Sequence, residues 1–403
     1  MSNSRQILIV GSGNAGFSAA KAARTQDPEA KIIMFGEENQ LPYYRLRLCD
    51  YIGKNLAYDK LEINHEEWFE KNKIQLELSS KVTAIDIKAK KISVNGKEYG
   101  YDSLVLATGS TPIMPSFEGK ELSGVYTIWT TDDIVKINKE LLAARKAVVI
   151  GGGLLGLEAA HKISEMGTEV SLIECMPRLL PKQLDEEGSE IFKDKVQSLG
   201  ISVLCGKSVE GFVGDHNGHV MKVGMTDGSF FEADLVIVAV GVAPNTSICQ
   251  SRGINMDRCL IVNEKMETNI KDIYAAGDVA SVNGRWYGQW AVAGKQGQVA
   301  GINAAGGNAV YKSEDLPYIL ATMNTRVVSV GDTGLNLTDN KKAAYEIDQM
   351  IDKERFSYSR LVFKNGVFVG YMLVGEPAKV FNKLQPLMNT TVTAQTIKNI
   401  LWQ

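Results

Sequence analysis

Three glycines near the start of the sequence have the spacing of a phosphate-binding turn. Gly11, Gly13 and Gly16 form G-x-G-x-x-G after the apolar run 7–10 and before a stretch of helix-forming residues. In such a turn the first glycine permits the tight bend, the second lets the backbone approach a pyrophosphate, and the third lets the helix pack closely on the strand. The helix N-terminus adds free N–H groups and the positive end of a dipole. We therefore predict a dinucleotide site at this turn.

The same arrangement occurs a second time, at Gly151, Gly153 and Gly156. After each turn the next apolar strand ends at an acid, Glu37 in the first copy and Glu174 in the second, placed to accept a hydrogen bond from a ribose 2′-hydroxyl. Both copies keep all three glycines and the acid. Because the architecture is duplicated, we predict two bound dinucleotides rather than one site and a decayed copy.

These motifs need strands and helices to hold them, and each copy supplies both. Each acid-tipped strand is followed by a hairpin, on Asn-Gly at 95–96 or Asp-Gly at 227–228, and later by a buried strand that ends at a glycine, in 103–109 or 235–241. Past residue 311 the pattern changes to short strands and helical stretches without a catalytic motif, which indicates an interface domain.

We predict an α/β protein with two Rossmann-like dinucleotide-binding domains and a C-terminal α+β interface domain. The predicted boundaries are an outer, discontinuous domain of residues 1–113 and 243–314, an inserted domain of residues 114–242, and a C-terminal domain of residues 315–403. Helices are also predicted over 60–73 and 381–388.

Composition narrows the classes of function. The chain of 403 residues has a formal net charge of −3, which argues against nucleic acid as a partner. No run approaches the length of about 18 apolar residues that spans a membrane, and the first strand begins at Ile7, so we expect neither a membrane span nor a signal peptide. The five cysteines form no C-x-x-C or C-x-x-x-x-C pair, which indicates reduced thiols, no metal site and a cytoplasmic protein.

A stretch rich in tyrosine and arginine follows Glu37. Tyr43, Tyr44, Arg45 and Arg47 lie in a segment that is neither alternating nor amphipathic. Arginines beside tyrosines in such a segment favour contact with a phosphate or an aromatic cofactor, and a solvated basic loop is the alternative.

The motifs in this order resemble those of the two-dinucleotide flavoprotein reductases. The resemblance covers the whole chain and rests on the two glycine turns, Ala107-Thr108-Gly109, Glu158 after the second turn, and Tyr274-Ala275-Ala276-Gly277-Asp278. Leu41-Pro42-Tyr43-Tyr44-Arg45 is similar to the branch of rubredoxin and ferredoxin reductases and apoptosis-inducing-factor-like proteins, with the NADH:rubredoxin oxidoreductases as the most similar group.

The resemblance implies FAD in the outer domain and NADH in the inserted one. Glu37 would hold the adenosine ribose of FAD, Asp278 the ribityl chain, and the helix beginning near Trp290 would point its N-terminus at the flavin. The cofactor contacts that it implies are Gly11, Gly13, Asn14, Ala15, Gly16, Glu37, Glu38, Arg45, Val82, Ala107, Thr108, Gly109, Gly151, Gly153, Leu155, Gly156, Glu174, Gly241, Gly277, Asp278, Trp290 and Ala291.

The chain also departs from the family pattern. The redox cysteine that related oxidases carry before Leu-Pro-Tyr is absent, because Asn39-Gln40 stands there. A lysine that pairs near the flavin with the glutamate equivalent to Glu158 is replaced by Asp50. Two carboxyl groups would then lie near the flavin, with Arg47 as the compensating charge. Glu158, Asp50 and Arg47 are therefore the predicted catalytic residues.

The resemblance implies an FAD-dependent NADH oxidoreductase that passes electrons to a small acidic electron-transfer protein of the rubredoxin kind. We expect that partner to dock through Arg47 and Lys54. An NADH oxidase acting on oxygen or a small acceptor, and an apoptosis-inducing-factor-like redox sensor with slow turnover, are the alternatives. The sequence leaves a homodimer open.

Overall fold

The computed structural model describes residues 4–313, 316–335 and 343–401. The described residues divide into two compact units. The first unit holds residues 4–47, 57–111 and 242–313. The second holds residues 48–56, 112–241, 316–335 and 343–401. The division into three domains at the boundaries given above stays a prediction.

The first unit is built on a five-stranded parallel sheet. Its order is Ile273–Ala275, Ser103–Leu106, Gln6–Val10, Lys31–Phe35 and Ile74–Glu77. The helices Asn14–Gln26 and Trp290–Ala304 pack against each other and against this sheet. Because the central strands are buried on both faces, they consist almost wholly of Ile, Leu and Val.

Smaller elements complete the first unit. Its antiparallel sheet is Val82–Asp86, Lys91–Val94 and Lys97–Gly100, with the predicted Asn-Gly hairpin turn at 95–96. Two short parallel strands, Leu260–Val262 and Ala280–Val282, pair with each other. Helix was predicted over 60–73, but the structure has two short helices, Tyr58–Leu61 and Glu66–Lys71, because residues 62–65 interrupt the helical hydrogen bonds. Short 3-10 segments lie at Ser247–Cys249 and Gly277–Val279, and a longer one, Arg45–Tyr51, begins in the first unit and ends in the second. The two connecting strands Ser110–Pro112 and Val242–Pro244 pair with each other.

The second unit contains another five-stranded parallel sheet. Its order is Ser202–Cys205, Glu169–Glu174, Lys146–Ile150, Leu235–Val238 and Val125–Tyr126. The helices of this part are Thr131–Leu141, Leu154–Glu165 and Glu186–Gln197. A three-stranded antiparallel sheet consists of Val209–Gly214, Val220–Met225 and Phe230–Glu232. The predicted α/β fold with two Rossmann-like sheets is confirmed.

The C-terminal part of the second unit is an antiparallel sheet with helices on it. The strand order is Tyr318–Thr322, Thr325–Gly331, Val367–Val374, Ser357–Lys364 and Tyr345–Asp352. The helix predicted over 381–388 is instead two 3-10 segments, Glu376–Lys383 and Gln385–Leu387, and the last helix is Ala394–Leu401. Pro386, inside the predicted helix, lacks the N–H that would continue the helical hydrogen bonds from the first segment.

Across the part of the chain that the structure describes, no helix has both the length and the apolar character required to cross a membrane.

Candidate functional site

The first glycine turn has the geometry that its spacing predicts. Gly11 has φ of +113°, and a Cβ built on it would lie 2.0 Å from the carbonyl oxygen of Ala107. A Cβ on Gly16 would lie 1.9 Å from the carbonyl oxygen of Gly11. By contrast, a Cβ on Gly13 would meet no atom within 4 Å. Gly11 and Gly16 are therefore required by packing, whereas Gly13 faces open space, where the motif predicts a pyrophosphate.

The second turn repeats these contacts. Gly151 has φ of +114°, and its Cβ would lie 2.4 Å from the carbonyl oxygen of Ala239. A Cβ on Gly156 would lie 2.0 Å from the carbonyl oxygen of Gly151, and one on Gly153 would again meet no atom within 4 Å. The two turns thus have the same pair of packing glycines and the same open one.

The helices after the two turns begin without a side-chain cap. Gly13 and Gly153 are their N-cap residues and make no capping hydrogen bond. The helix Trp290–Ala304 also begins without a side-chain cap, whereas the side chains of Thr130 and Asp185 cap two other helices. Uncapped N–H groups at a helix start need an acceptor, and phosphate oxygens can supply it. The helix starts at both turns are therefore compatible with dinucleotide phosphates.

The acids that end the neighbouring strands differ in their surroundings. Glu174 is buried, and its carboxylate accepts hydrogen bonds from the backbone N–H of Gly152 at 2.6 Å and of Met176 at 2.7 Å. Glu37 is exposed and pairs with Lys81 at 2.6 Å. The carboxylate of Glu174 is therefore fixed by the turn that it accompanies, and Glu37 is not.

Glu38, next to Glu37, is held by the tyrosine- and arginine-rich segment. Its carboxylate accepts a hydrogen bond from the hydroxyl of Tyr43 at 2.7 Å and pairs with the guanidinium of Arg45. The guanidinium of Arg45 also lies 4.9 Å from the centre of the Tyr43 ring. These contacts order the segment beside the first strand-to-helix turn.

Asp278 lies just after the carboxyl end of Ile273–Ala275, an edge strand of the first sheet. Its carboxylate accepts a hydrogen bond from Ser110 Oγ at 2.7 Å. Burial raises the pKa of Asp278, while the hydrogen bond from Ser110 and the charge of Arg45 lower it. Gly277 precedes it with φ of +80° and donates its N–H to Gln296 at 2.9 Å. A half-buried carboxylate of this kind suits the hydroxyls of a ribityl chain.

Apart from Val82, the other predicted contact residues lie just after the carboxyl ends of parallel strands or in the first turns of helices. Ala107, Thr108 and Gly109 follow the strand Ser103–Leu106, and Gly241 follows Leu235–Val238. Asn14, Ala15, Leu155, Trp290 and Ala291 begin helices. Val82 begins a strand of the antiparallel sheet. Their contacts with cofactors stay predictions.

A pair of acids lies in the second unit. Asp50 and Glu158 interact electrostatically, and the buried thiol of Cys49 lies close to both charges. Burial, and then Asp50, raises the pKa of Glu158 to about 7, while Lys162 lowers it. Lys162 is thus a cation that opposes this shift, and the role of Arg47 as a compensating charge stays a prediction.

The side chain of Asn138 binds the segment 48–56, which carries Asp50. Asn138 accepts the N–H of Gly53 at 2.7 Å and donates to the carbonyls of Tyr51 at 2.9 Å and Lys54 at 2.8 Å. Sequence reasoning missed both Asn138 and Lys162. No local pattern marks Asn138, because its partners are about 85 residues away along the chain. Arg47, in the first unit, donates to the carbonyl of Lys60 at 3.1 Å.

The model of one protein family, the pyridine nucleotide-disulphide oxidoreductases, matches residues 5–297. The chain belongs to this family. The resemblance stated from the motifs is confirmed, and so are an oxidoreductase activity and the cofactors FAD and NAD(H). The assignment of one dinucleotide to each of the two glycine turns stays a prediction for this pyridine nucleotide-disulphide oxidoreductase.

Relatives within the pyridine nucleotide-disulphide oxidoreductases differ in length and in name. The chain is 38% identical to the NADH-rubredoxin oxidoreductase of Clostridium acetobutylicum over 331 residues, which are 82% of each chain. It is 32% identical to a nitrite reductase [NAD(P)H] of Bacillus subtilis over 97% of its own length but only 48% of that protein, so it spans about half of this relative. The ferredoxin reductase for the CYP199A2 system of Rhodopseudomonas palustris has the same fold, with a TM-score of 0.87 and 26% identity over 98% of this chain and 97% of that one.

None of the five cysteines of this pyridine nucleotide-disulphide oxidoreductase forms a disulfide bond in the structure. Cys49, Cys249 and Cys259 are buried, and burial raises the pKa of each thiol. For Cys49 the charges of Glu158 and Asp50 raise the pKa further. The thiolate is the reactive form of cysteine. Cys49 is therefore unsuited to thiol redox chemistry.

Proposed function

We propose that the chain is an FAD-dependent NADH oxidoreductase that delivers electrons to a small acidic electron-transfer protein of the rubredoxin kind. The observation that carries the proposal is that the Cys49 thiol, beside the acid pair, is free and buried. Without a reactive thiol beside the acid pair, electrons pass from the flavin to the acceptor directly. The identity to an NADH-rubredoxin oxidoreductase supports rubredoxin as the acceptor to test first.

The proposal assigns one cofactor to each glycine turn. Residues 1–113 and 243–314 would hold FAD, with the open space at Gly13 for its pyrophosphate and Asp278 for its ribityl chain. Residues 114–242 would hold NADH, with Gly153 and Glu174 in the corresponding roles. When bound, FAD accepts a hydride from NADH and releases electrons one at a time.

The protein's part in this reaction is to bind and orient. The uncapped helix starts supply N–H groups and dipoles to the phosphates. Each carboxylate oxygen of Glu174 accepts one backbone hydrogen bond and has a further lone pair. Through such a lone pair Glu174 accepts a hydrogen bond from the adenosine ribose of NADH. These contacts fix both dinucleotides relative to the sheets that carry them.

An acidic partner needs local positive charge, because the chain as a whole has a net charge of −3. Arg47 and Lys54 are the residues proposed for this role, and Lys54 is exposed. Charges at the rim of an interface act mainly on the rate of association, and salt screens them. A cytoplasmic location and a homodimer remain predictions alongside this one.

The test is NADH oxidation by the holoprotein, without oxygen, against rubredoxin, a small iron–sulfur ferredoxin and a small dye. We expect rubredoxin turnover that falls as salt is added, and slow oxidation of NADH when oxygen is the only acceptor. The Arg47→Glu variant should lower kcat/KM for rubredoxin at least severalfold and leave dye reduction unchanged. Lys31→Glu, which makes a similar change of charge at the amino end of the strand Lys31–Phe35, is the control.

Three outcomes would contradict the proposal. Undetectable or salt-independent rubredoxin turnover would remove the rubredoxin assignment. Rapid turnover with oxygen would favour an NADH oxidase. A reduced flavin–nucleotide complex that persists for minutes with every acceptor would favour a redox sensor.

A further inference from the structure

The acid pair Asp50 and Glu158 lies on one side of the second glycine turn. In the parallel sheet, the strand Lys146–Ile150 leads into the turn and has Glu169–Glu174 on one side and Leu235–Val238 on the other. The helix Thr131–Leu141 packs against the second of these neighbours. Asn138 of that helix holds the segment that carries Asp50.

This order of strands separates the two ends of a dinucleotide. A pyrophosphate at Gly153 puts one ribose near Glu174, which is the adenosine end. The nicotinamide end must then extend towards the opposite neighbour strand, after which Gly241 has φ of +110° and no atom within 4 Å of a built Cβ. Glu158 lies one turn into the helix that starts at Leu154, about 6 Å along its axis from the phosphate end. The acid pair therefore lies on the nicotinamide side.

The two redox forms of the nucleotide differ in charge at that end. The nicotinamide ring is cationic in NAD⁺ and uncharged in NADH. We propose that the Asp50–Glu158 pair distinguishes them by charge: it releases a proton when NAD⁺ binds and keeps it when NADH binds. When NAD⁺ binds, the protonated pair becomes ionised and one proton is released to the solvent. Atoms and charge are therefore balanced. The inference rests on the placement of NADH proposed above.

The charged and titratable groups around Glu158 set the pH range of this effect. Asp50 comes from the 48–56 segment, Lys162 from the next turn of the same helix, and the Cys49 thiol is buried beside them. Because the pKa of Glu158 is raised to about 7, the free protein loses this proton as the pH rises through neutrality. NAD⁺ affinity should therefore rise between pH 6 and 8, by at most about tenfold per pH unit for one linked proton, while the affinity for a neutral ring stays nearly constant.

The experiment measures proton release by titration calorimetry of the FAD-loaded, oxidised protein in buffers of different ionisation enthalpy. The ligands are NAD⁺ and 1,4,5,6-tetrahydro-NAD, whose uncharged ring does not give up a hydride. We expect about half a proton released per NAD⁺ at pH 7, given a pKa of Glu158 of about 7, and close to none with the tetrahydro analogue.

Variants assign the proton to the pair. Glu158→Gln should abolish the release and flatten the pH dependence of NAD⁺ binding, with binding of the analogue unchanged within about twofold. Asp50→Asn removes the neighbouring charge and should move the midpoint of the pH dependence to lower pH. Glu187→Gln, an exposed acid at the start of another helix, is the matched control and should behave as the wild type.

Equal proton release with both ligands, or release that persists in Glu158→Gln, would overturn the inference. Failure of both ligands to bind the wild-type protein would instead contradict the proposed nucleotide site itself. The two failures are thus distinguishable.

Discussion

The side-chain amide of Asn14 donates a 2.6 Å hydrogen bond to the backbone carbonyl of Trp290. It joins the start of the helix after the first glycine turn to the start of the helix Trp290–Ala304. Further along, a Cβ on Gly297 or Gly301 would lie 2.1 Å from the carbonyl oxygens of Ala15 or Ala19. The two helices therefore cross in backbone contact, and the phosphate-binding helix is positioned by its neighbour.

Gly297→Ala should destabilise the first unit and weaken FAD binding, because the new methyl group meets backbone that has no room to move. Overpacking of this kind costs about 1–3 kcal/mol or more, against a gain of about 1 kcal/mol from helix propensity. Gly294→Ala is the control, since the nearest atoms to its Cβ would belong to side chains, those of Asn14 at 3.0 Å and Ser18 at 3.5 Å, and not to backbone. Thermal unfolding and FAD content measure both. Equal stability of the two variants would show that the helices can separate at no cost.

Asp278→Leu should reduce FAD affinity by about 5- to 150-fold, which corresponds to about 1–3 kcal/mol for a buried hydroxyl left without a partner. The variant also removes the acceptor of the Ser110 hydroxyl. Fluorescence titration of the apoprotein with FAD gives the Kd. Ser110→Ala separates the two effects, because it removes only the hydrogen bond within the protein. An unchanged Kd in Asp278→Leu would exclude this carboxylate from the FAD site.

NADH should be preferred to NADPH, since a 2′-phosphate would meet the buried carboxylate of Glu174. Arg178 does not offer a ready counter-charge, because its guanidinium donates to the carbonyls of Leu184 at 3.1 Å and Pro181 at 3.3 Å. Glu174→Ala should lower the ratio of kcat/KM for NADH over NADPH at least tenfold. Arg178→Ala is the companion variant and should change this ratio little. A wild-type preference for NADPH would contradict the role of Glu174.

His161 connects the helix of the second glycine turn to the C-terminal sheet. Its Nδ1 accepts the backbone N–H of Met323 at 3.0 Å and lies 2.8 Å from Thr322 Oγ1. Burial lowers the pKa of His161, Lys162 and Lys195 lower it further, and Glu165 opposes the shift. Protonation of Nδ1 would set two N–H groups against each other, so the folded protein holds this histidine neutral.

The second unit should therefore lose stability in mild acid. The unfolded chain takes up a proton on His161 as the pH falls below about 6.5, whereas the folded chain does so only at lower pH, so folding is disfavoured in that range. His161→Asn keeps an acceptor near the position of Nδ1 but does not titrate. Its deficit in Tm relative to the wild type should narrow between pH 8 and 5.5. His216→Asn, at an exposed turn, is the control, and a constant deficit for His161→Asn would refute the prediction.

Features that depend on residues close together in the chain could be predicted from the amino-acid sequence. Glycines at fixed spacing, the apolar runs before them and the acids after the next strands are local patterns. They were sufficient for both Rossmann-like sheets, both cofactors and the family. The packing at Gly11 and Gly16 follows from that spacing, because a tight turn brings the first glycine, the third and the adjacent strand end together in any such unit.

Which distant groups meet depends on the tertiary structure. It places Asp50 and Lys162 close enough to Glu158 to affect its pKa, and it brings Asn138 to the segment that carries Asp50. It also gives the neutral His161 its partner in a turn about 160 residues away. Such pairs leave no periodic trace in the chain, since their hydrogen bonds and charges depend on how elements pack. The pKa of Glu158 is set by the same packing, because burial and charge proximity exist only in the folded protein.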